Sequence, residues 1–352
     1  MRQVLFEIPL KSPWHLSPFG DVPGFGFGLV LLVWLVWGGF SLYRDWKMAT
    51  LPRNELMQSL IFFLAMAGVI IAAPHYAPVE HLPVFGYGAM LVVGAGLSGF
   101  TASQRIKLVG GEPKIAWDLT VMLILTGVVG SRIFYLIQKR EQVFAHCTNL
   151  FEVLKAIVNL PDGGLVLYGG LILGSATYVW LCRKHGLDAL KVGDAVVPAV
   201  FVGEACGRIG CFLNGCCFGD ACSLPWGVQF PRDSVPWTAL ENRGFLLPIA
   251  EATYPLHPTQ LYSAINALVL AGITAIYYRY RAGKGSVLAL AIMAYAVSRS
   301  CLEILRGDEF GQFGTGLTIA QCVSIIVFIA GAGLAVWSWR HSERGLQSAA
   351  SS

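Results

Sequence analysis

What most constrains this chain is a rhythm: apolar runs of about twenty residues, separated by short clusters of arginine and lysine. A helix rises ~1.5 Å per residue, so ~20 apolar residues match the ~30 Å hydrocarbon core of a bilayer. Nine such spans are expected, over about 25–43, 57–74, 84–103, 116–137, 163–182, 192–213, 258–278, 285–305 and 318–338. The chain has only 13% charged residues, against about 25% for a soluble domain. The expected fold class is therefore all-α, a polytopic membrane helix bundle. The net charge of +4 is dispersed in the loop clusters and gives no sign of a nucleic-acid partner. No cleavable signal peptide is expected, because the first apolar run follows acidic as well as basic residues and lacks a small-residue cleavage site.

The loops predict orientation. Fourteen of the 25 basic residues follow odd-numbered spans, eight lie on the other side, and Arg132, Arg208 and Arg299 fall inside or at the ends of spans. The positive-inside rule then puts the N-terminus outside and the C-terminus in the cytoplasm. Arg208, the 214–257 segment and Arg306 would face the outer side, where ATP is absent, so chemistry there must draw its energy from its own substrates. An internal echo also stands out. PGFGFGLVLLV at 23–33 aligns with PVFGYGAMLVV at 83–93, sixty residues on, and only the second copy carries a hydroxyl, Tyr87.

Four stretches offer chemistry. In GRIGCFLNGCCFGD, 207–220, Arg208 sits among Gly207, Gly210, Gly215 and Gly219, with Asn214 nearby. A charge at mid-membrane costs roughly 2.5–3.5 kcal/mol on insertion scales. A structural arginine bonded to carbonyls is one reading. The glycines favour another, a ligand headgroup brought close to the backbone. In YAVSRSCLEILRGDE, 295–309, Tyr295, Arg299 and Glu303 stand at i, i+4 and i+8, with Arg306 three further on, so one helix face carries phenol, guanidinium, carboxylate and guanidinium. Two buried arginines on separate helices suit a phosphate. In DGGLVLYGGLILG, 162–174, glycine pairs including Gly169 and Gly170 flank Tyr168. In HPTQLY, 257–262, His257 precedes a proline that opens a helix, as an interfacial group or a base. Cys206, Cys211, Cys216, Cys217 and Cys222 match no common zinc spacing; a disulfide from Cys216 or Cys217 to Cys222, packing, a nucleophile or a metal remain open. No nucleotide-binding loop or zinc-protease motif occurs.

Taken in order, these pieces resemble the prolipoprotein diacylglyceryl transferase family over about residues 83–340. FGYGAML, GVVGSRIFY, DGGLVLYGGLILG, GRIGCFLNGCCFG, HPTQLY, YAVSRSCLEILR and GLTIAQCVSI follow as the family has them. GRIGCFLNGCCFG is similar to the family signature GRIGNFxNGExxG. The resemblance implies a seven-helix core at 81–340, an N-terminal extension at 1–80 with about two further helices, and a cytoplasmic tail at 341–352. It implies transfer of a diacylglyceryl group from phosphatidylglycerol to the lipobox cysteine thiol of prolipoproteins, at the outer side of the bacterial cytoplasmic (inner) membrane, with no cofactor and no metal. Arg208, Arg299, Tyr168 and Tyr295 would be catalytic. Tyr87, Asn214, Gly219, Glu303, Gly169, Gly170 and His257 would bind substrate. Tyr168 stands where the family has its catalytic histidine, Cys211 where it has asparagine, and Cys216 where it has glutamate. Those departures keep a second expectation in play: a divergent paralogue that binds phospholipid or serves a different thiol acceptor. An anion or lipid transporter is the third, and would need access from both sides.

Overall fold

The computed structural model describes residues 4–9, 16–19, 22–25, 27–47, 57, 60–61, 63–68, 72, 81–145, 149–158, 164–306 and 317–350. Three quarters of it is helical. The helices are α1 (Phe27–Lys47), α2 (Gly86–Ile106), α3 (Pro113–Gln138), α4 (Arg140–Val143), α5 (Leu150–Val158), α6 (Leu167–Lys184), α7 (Ala189–Asn214), α8 (Val235–Asn242), α9 (Thr259–Tyr277), α10 (Ser286–Glu303) and α11 (Ile319–Ala350). Eight of the nine expected spans coincide with α1, α2, α3, α6, α7, α9, α10 and α11. The other, 57–74, falls largely outside the described residues; those of its residues that are described are helical. Among the described residues, five helices are long and apolar enough to cross a membrane: α3, α7, α9, α10 and the Ile319–Ser342 part of α11.

The backbone divides into two compact units. The first comprises Met1–Met90, Leu213–Cys216 and Phe230–Ala252. It holds a four-stranded sheet that hydropathy did not suggest: β1 (Val4–Pro9), β2 (Leu16–Phe19), β3 (Val22–Phe25) and β4 (His81–Phe85), in the order β2-β3-β1-β4. Strand β1 pairs parallel with β3, placing Glu7 opposite Gly24, and antiparallel with β4, placing Ile8 opposite Leu82. The two copies of the echo are thus the same device: a strand ending at Phe25 or Phe85, running almost directly into a helix. Strands this short and proline-rich carry too few alternating residues to betray themselves by period two. Trp34 of α1 stacks on Phe63, and its indole N–H donates to the Phe63 carbonyl at 3.2 Å. In the 230–252 segment, Trp237 is buried and donates to the Ala250 carbonyl at 2.9 Å.

The second unit comprises Leu91–Phe212, Cys217–Gln229 and Thr253–Ser352. Helix α3 packs along α6, α10 along α11, and α9 along α10. One apolar cluster gathers Ile106, Leu119, Leu181 and Val192; another gathers Phe201, Leu270, Val287 and Ala291. Large apolar residues such as Ile124, Leu125, Val129, Ile325, Ile326 and Ile329 remain exposed. That is the pattern of helices solvated by lipid, where tight packing rather than apolar burial joins neighbours. Gly130 and Gly169 illustrate it: a Cβ on Gly130 would stand 2.4 Å from the Gly169 carbonyl oxygen, and one on Gly169 2.1 Å from that of Gly130. Helices α3 and α6 can approach this closely only because neither carries a side chain at the crossing.

Candidate functional site

Helix α7 presents Arg208 one turn after Glu204. The guanidinium donates to the Glu204 carboxylate at 3.4 Å, with both side chains about one fifth exposed. The Tyr295 hydroxyl on α10 lies within its electrostatic reach. Tyr295 leans against Phe201 of α7, ring centroids 6.3 Å apart, and lies within the electrostatic reach of Arg299, one turn further along α10. Two guanidiniums from different helices therefore converge about one phenol.

Beyond Arg299 lies the group that fixes it. Glu303 is wholly buried and pairs with Arg299, four residues earlier, while Arg306 Nε lies 3.8 Å from the same carboxylate oxygen. The other oxygen accepts from the Thr318 hydroxyl at 3.1 Å. Thr318 opens α11 with a capping box: its backbone N–H donates to Gln321 Oε1 at 3.1 Å, and its hydroxyl accepts from the Gln321 N–H at 3.3 Å. The T-x-x-Q spacing in GLTIAQ thus orients a hydroxyl that in turn orients Glu303. Across the bundle, Asn266 of α9 donates to Ser298 of α10 at 3.0 Å, beside Arg299.

Gly219 pins the end of α10. Its N–H donates to the His257 carbonyl at 3.0 Å, and the next N–H, of Asp220, donates to the Leu305 carbonyl at 3.0 Å. A Cβ on Gly219 would meet His257 Cβ, the Leu305 oxygen and Thr259 Cγ2, each at 2.7 Å. No side chain fits, so the strand-like 219–220 segment can lie between the start of α9 and the residues just after Glu303. Thr259 adds a bond from its hydroxyl to the Cys217 carbonyl at 2.7 Å. The His257 ring faces Tyr262, Nδ1 at 3.3 Å from the hydroxyl, which also accepts from Trp226 at 2.7 Å.

Tyr168 is in the first turn of α6 and is 43% exposed. Among the described residues, no contact joins it to Arg208. Its placement depends on Arg132, whose guanidinium donates to the carbonyls of Ile157 at 3.0 Å, Ala156 at 2.7 Å and Gly164 at 3.1 Å. That charge sits at the carbonyl end of α5, where the helix dipole favours a cation, and ties the approach to α6. Gly170 lies where a Cβ would stand 2.5 Å from Ser131 Oγ. In the first unit, Tyr87 is in the opening turn of α2 and Asn214 closes α7; a Cβ on neighbouring Gly86 would touch Leu213 at 3.0 Å.

The structure thus brings Arg208, Tyr295, Arg299 and Glu303 into one network, and Gly219 and His257 into the segment that anchors it. Sequence reasoning missed Glu204, Thr318 and the anchoring role of Arg132. Glu204 had a signal: it precedes Arg208 by four residues, the spacing that marked Arg299 and Glu303 as a pair. Cys206, Cys211, Cys216, Cys217 and Cys222 are all thiols, and the disulfide weighed for Cys222 is not formed. Cys211 and Cys217 lie within the electrostatic field of Arg208.

The phosphatidylglycerol–prolipoprotein diacylglyceryl transferase of Clostridium tetani is 33% identical over 250 residues, covering 71% of this chain and 91% of that protein. The protein of the same name from Rhodopirellula baltica is 27% identical across 97% of this chain and 90% of its own length, so that likeness reaches into the N-terminal region. The one from Mycobacteroides abscessus is 28% identical over 72% of this chain and 73% of its own. The prolipoprotein diacylglyceryl transferase pattern matches residues 74–337, a stretch that contains the whole guanidinium network and the glycine that anchors it, and the chain belongs to the prolipoprotein diacylglyceryl transferase family.

Proposed function

We propose that this protein transfers the diacylglyceryl group of phosphatidylglycerol to the lipobox cysteine thiol of prolipoproteins, at the outer face of the bacterial cytoplasmic membrane. The observation that carries the reading is the convergence of Arg208 and Arg299 about Tyr295. Among the described residues, two carboxylates (Glu204, Glu303) face the guanidiniums of Arg208, Arg299 and Arg306. A phosphodiester headgroup carries one negative charge, and paired planar forks match its oxygens.

In the reaction the acceptor sulfur attacks the glycerol carbon bearing the phosphate ester. The S–C bond forms, the C–O bond breaks, and glycerol phosphate leaves with the electron pair. The protein needs no nucleophile of its own. Fixed guanidiniums in a low-dielectric cleft stabilise the charge that develops on the leaving phosphate. The thiol proton goes to a base, with Tyr168 orienting the thiol and His257 or water accepting the proton. Tyr87, Asn214, Gly169 and Gly170 complete the lipid site in this reading. Residues 1–80 form an added N-terminal part, 81–340 the transferase core and 341–352 a tail, with the N-terminus outside and the C-terminus cytoplasmic.

Complementation tests it. A strain depleted of its own transferase, expressing this chain, is scored for thioether lipidation of a reporter lipoprotein. Lipidation by wild type, lost in Arg208→Ala and in Arg299→Ala, is the expected outcome. A well-expressed, membrane-inserted wild type that lipidates nothing would refute the transferase reading and leave a phospholipid-binding paralogue. Recovery on Tyr168→His alone would locate the defect in the proton acceptor.

A further inference from the structure

Roughly 20 Å along α7 from Arg208, judged from the helix rise between residues 195 and 208, two more arginines converge on a tyrosine. Arg105, at the end of α2, has its guanidinium carbon 5.1 Å from the Tyr278 ring centroid; Arg281, just after α9, has its own at 4.0 Å. Being 5.1 Å and 4.0 Å from one point, the two cations are at most 9.1 Å apart. Three of their polar atoms, Arg105 Nη2, Arg281 Nη1 and the Tyr278 hydroxyl, are buried without a hydrogen-bond partner. Buried polar groups are nearly always bonded, so three orphans in one cluster call for a missing acceptor.

The described residues supply none. Among them, the one bond of the Arg105 side chain goes from Nε to the Ala195 carbonyl, at 2.5 Å. The carboxylate within the field of Arg281 is Asp194, but its oxygens already accept from the N–H groups of Gly285 at 2.6 Å and Leu288 at 2.9 Å, at the start of α10. Among the described residues neither arginine makes an ion pair. Stacking on an aromatic face compensates a guanidinium only in part and does nothing for its N–H groups. Two guanidiniums and a phenol, all donors, at the end of a membrane bundle match the basic sites between helices that hold anionic headgroups.

We infer that Arg105, Tyr278 and Arg281 form a second anion site, separate from the Arg208 network, that takes a phosphate group, either of an anionic phospholipid headgroup or of free phosphate. Its occupant bridges α2 to the α9–α10 turn and supplies the acceptors that the three orphaned donors lack. The site would hold its ligand without turning it over, since Asp194, the carboxylate in its field, is already committed to the Gly285 and Leu288 N–H groups.

The test uses the full chain in zwitterionic phosphatidylcholine nanodiscs, with phosphatidic acid in one arm and inorganic phosphate in another. Phosphatidic acid is expected to raise the thermal midpoint of wild type and of Arg208→Gln alike. The concentration for half the effect should rise about tenfold in Arg105→Gln and in Arg281→Gln, from loss of a charged hydrogen bond. A shift with the lipid alone assigns the site to a headgroup; a shift with inorganic phosphate as well assigns it to the phosphate group itself. An effect lost in Arg208→Gln but intact in both other variants overturns the inference. A photo-crosslinking phosphatidic acid on wild type guards against misfolded variants: adducts at Arg105 or the 278–281 turn are expected, and adducts confined to other peptides overturn it.

Discussion

Replacing Glu303 with glutamine keeps the shape of the side chain and removes its charge. Its carboxylate is fully buried, Arg299 is 18% exposed and Arg306 12%. Two unit charges ~4 Å apart attract by ~4 kcal/mol at an effective dielectric near 20. Removing one partner of a buried pair typically costs ~3–5 kcal/mol, because the other charge is stranded. Here two guanidiniums are stranded, although Arg306, at 3.8 Å, is the looser. The amide NH₂ would also face donors. We expect Glu303→Gln to lose ~3–5 kcal/mol and its thermal midpoint in detergent or nanodiscs to fall by roughly 10 °C, at a few degrees per kcal/mol. Lipidation should fall by about 100-fold if Arg299 moves by ~1 Å. Thr318→Val removes one bond to the same carboxylate, worth ~1.5–3 kcal/mol, and the two losses should be less than additive, because both act through one group. A Glu303→Gln protein that melts with wild type and lipidates normally would show that Arg299 is held by something else, and the proposed chain from Thr318 to Arg299 would fail.

Four further outcomes follow from particular contacts. Gly219→Ala must displace the Leu305 carbonyl or the start of α9; overpacking of this kind costs ~1–3 kcal/mol, and activity should fall more than the thermal midpoint suggests, since the segment it moves anchors Arg306. Arg132→Gln gives up charged hydrogen bonds to three carbonyls, at least ~3 kcal/mol by the cost of single charged bonds, and limited proteolysis should then cut within α5 faster than in wild type. Glu204→Gln takes away the carboxylate paired with Arg208 and raises the local charge by one, so inhibition by glycerol phosphate should become stronger than in wild type; unchanged inhibition would show that Glu204 does not offset Arg208. Asp188, in the loop before α7, feels burial pushing its carboxyl upward, but the Lys284 ammonium at 3.0 Å and the N–H groups of Lys191 and Leu190 outweigh it and hold its pKa below the ordinary value. A depressed folded pKa stabilises above the unfolded value, ~3.9, and that contribution is lost as pH falls through the folded one. With the pair well exposed the effect is below ~1 kcal/mol, visible as a slightly smaller acid-induced drop in the thermal midpoint of Asp188→Asn.

The sequence alone determined the membrane helices, because apolar length and charge between runs are local properties that no distant contact overrides. It also contained the pairs that one helix makes with itself. Arg299 with Glu303 follows from a spacing of four, and so does Glu204 with Arg208, though that one went unread. The capping box in GLTIAQ is equally local. The family motifs located Arg208, Gly219 and Tyr295 in the chain, but not their partners.

Only the tertiary structure decided what crosses between elements. Which tyrosine Arg208 meets depends on the rotation of α7 against α10, fixed by packing around Phe201 and not by either helix alone. That Gly219 admits no side chain depends on the Leu305 carbonyl and the start of α9, neither near it in sequence. Arg132, read from sequence only as a charge inside a span, proved to be a bracket because carbonyls some 24–32 residues away fold back onto it. The small sheet was invisible because four to six residues with prolines carry almost no periodic signal, and pairing across seventy residues of chain has none. The Arg105–Tyr278–Arg281 cluster had none either: each residue alone reads as a loop charge or an interfacial ring. Local physics writes itself into a sequence; the meeting of two helix faces is a property of the packed whole.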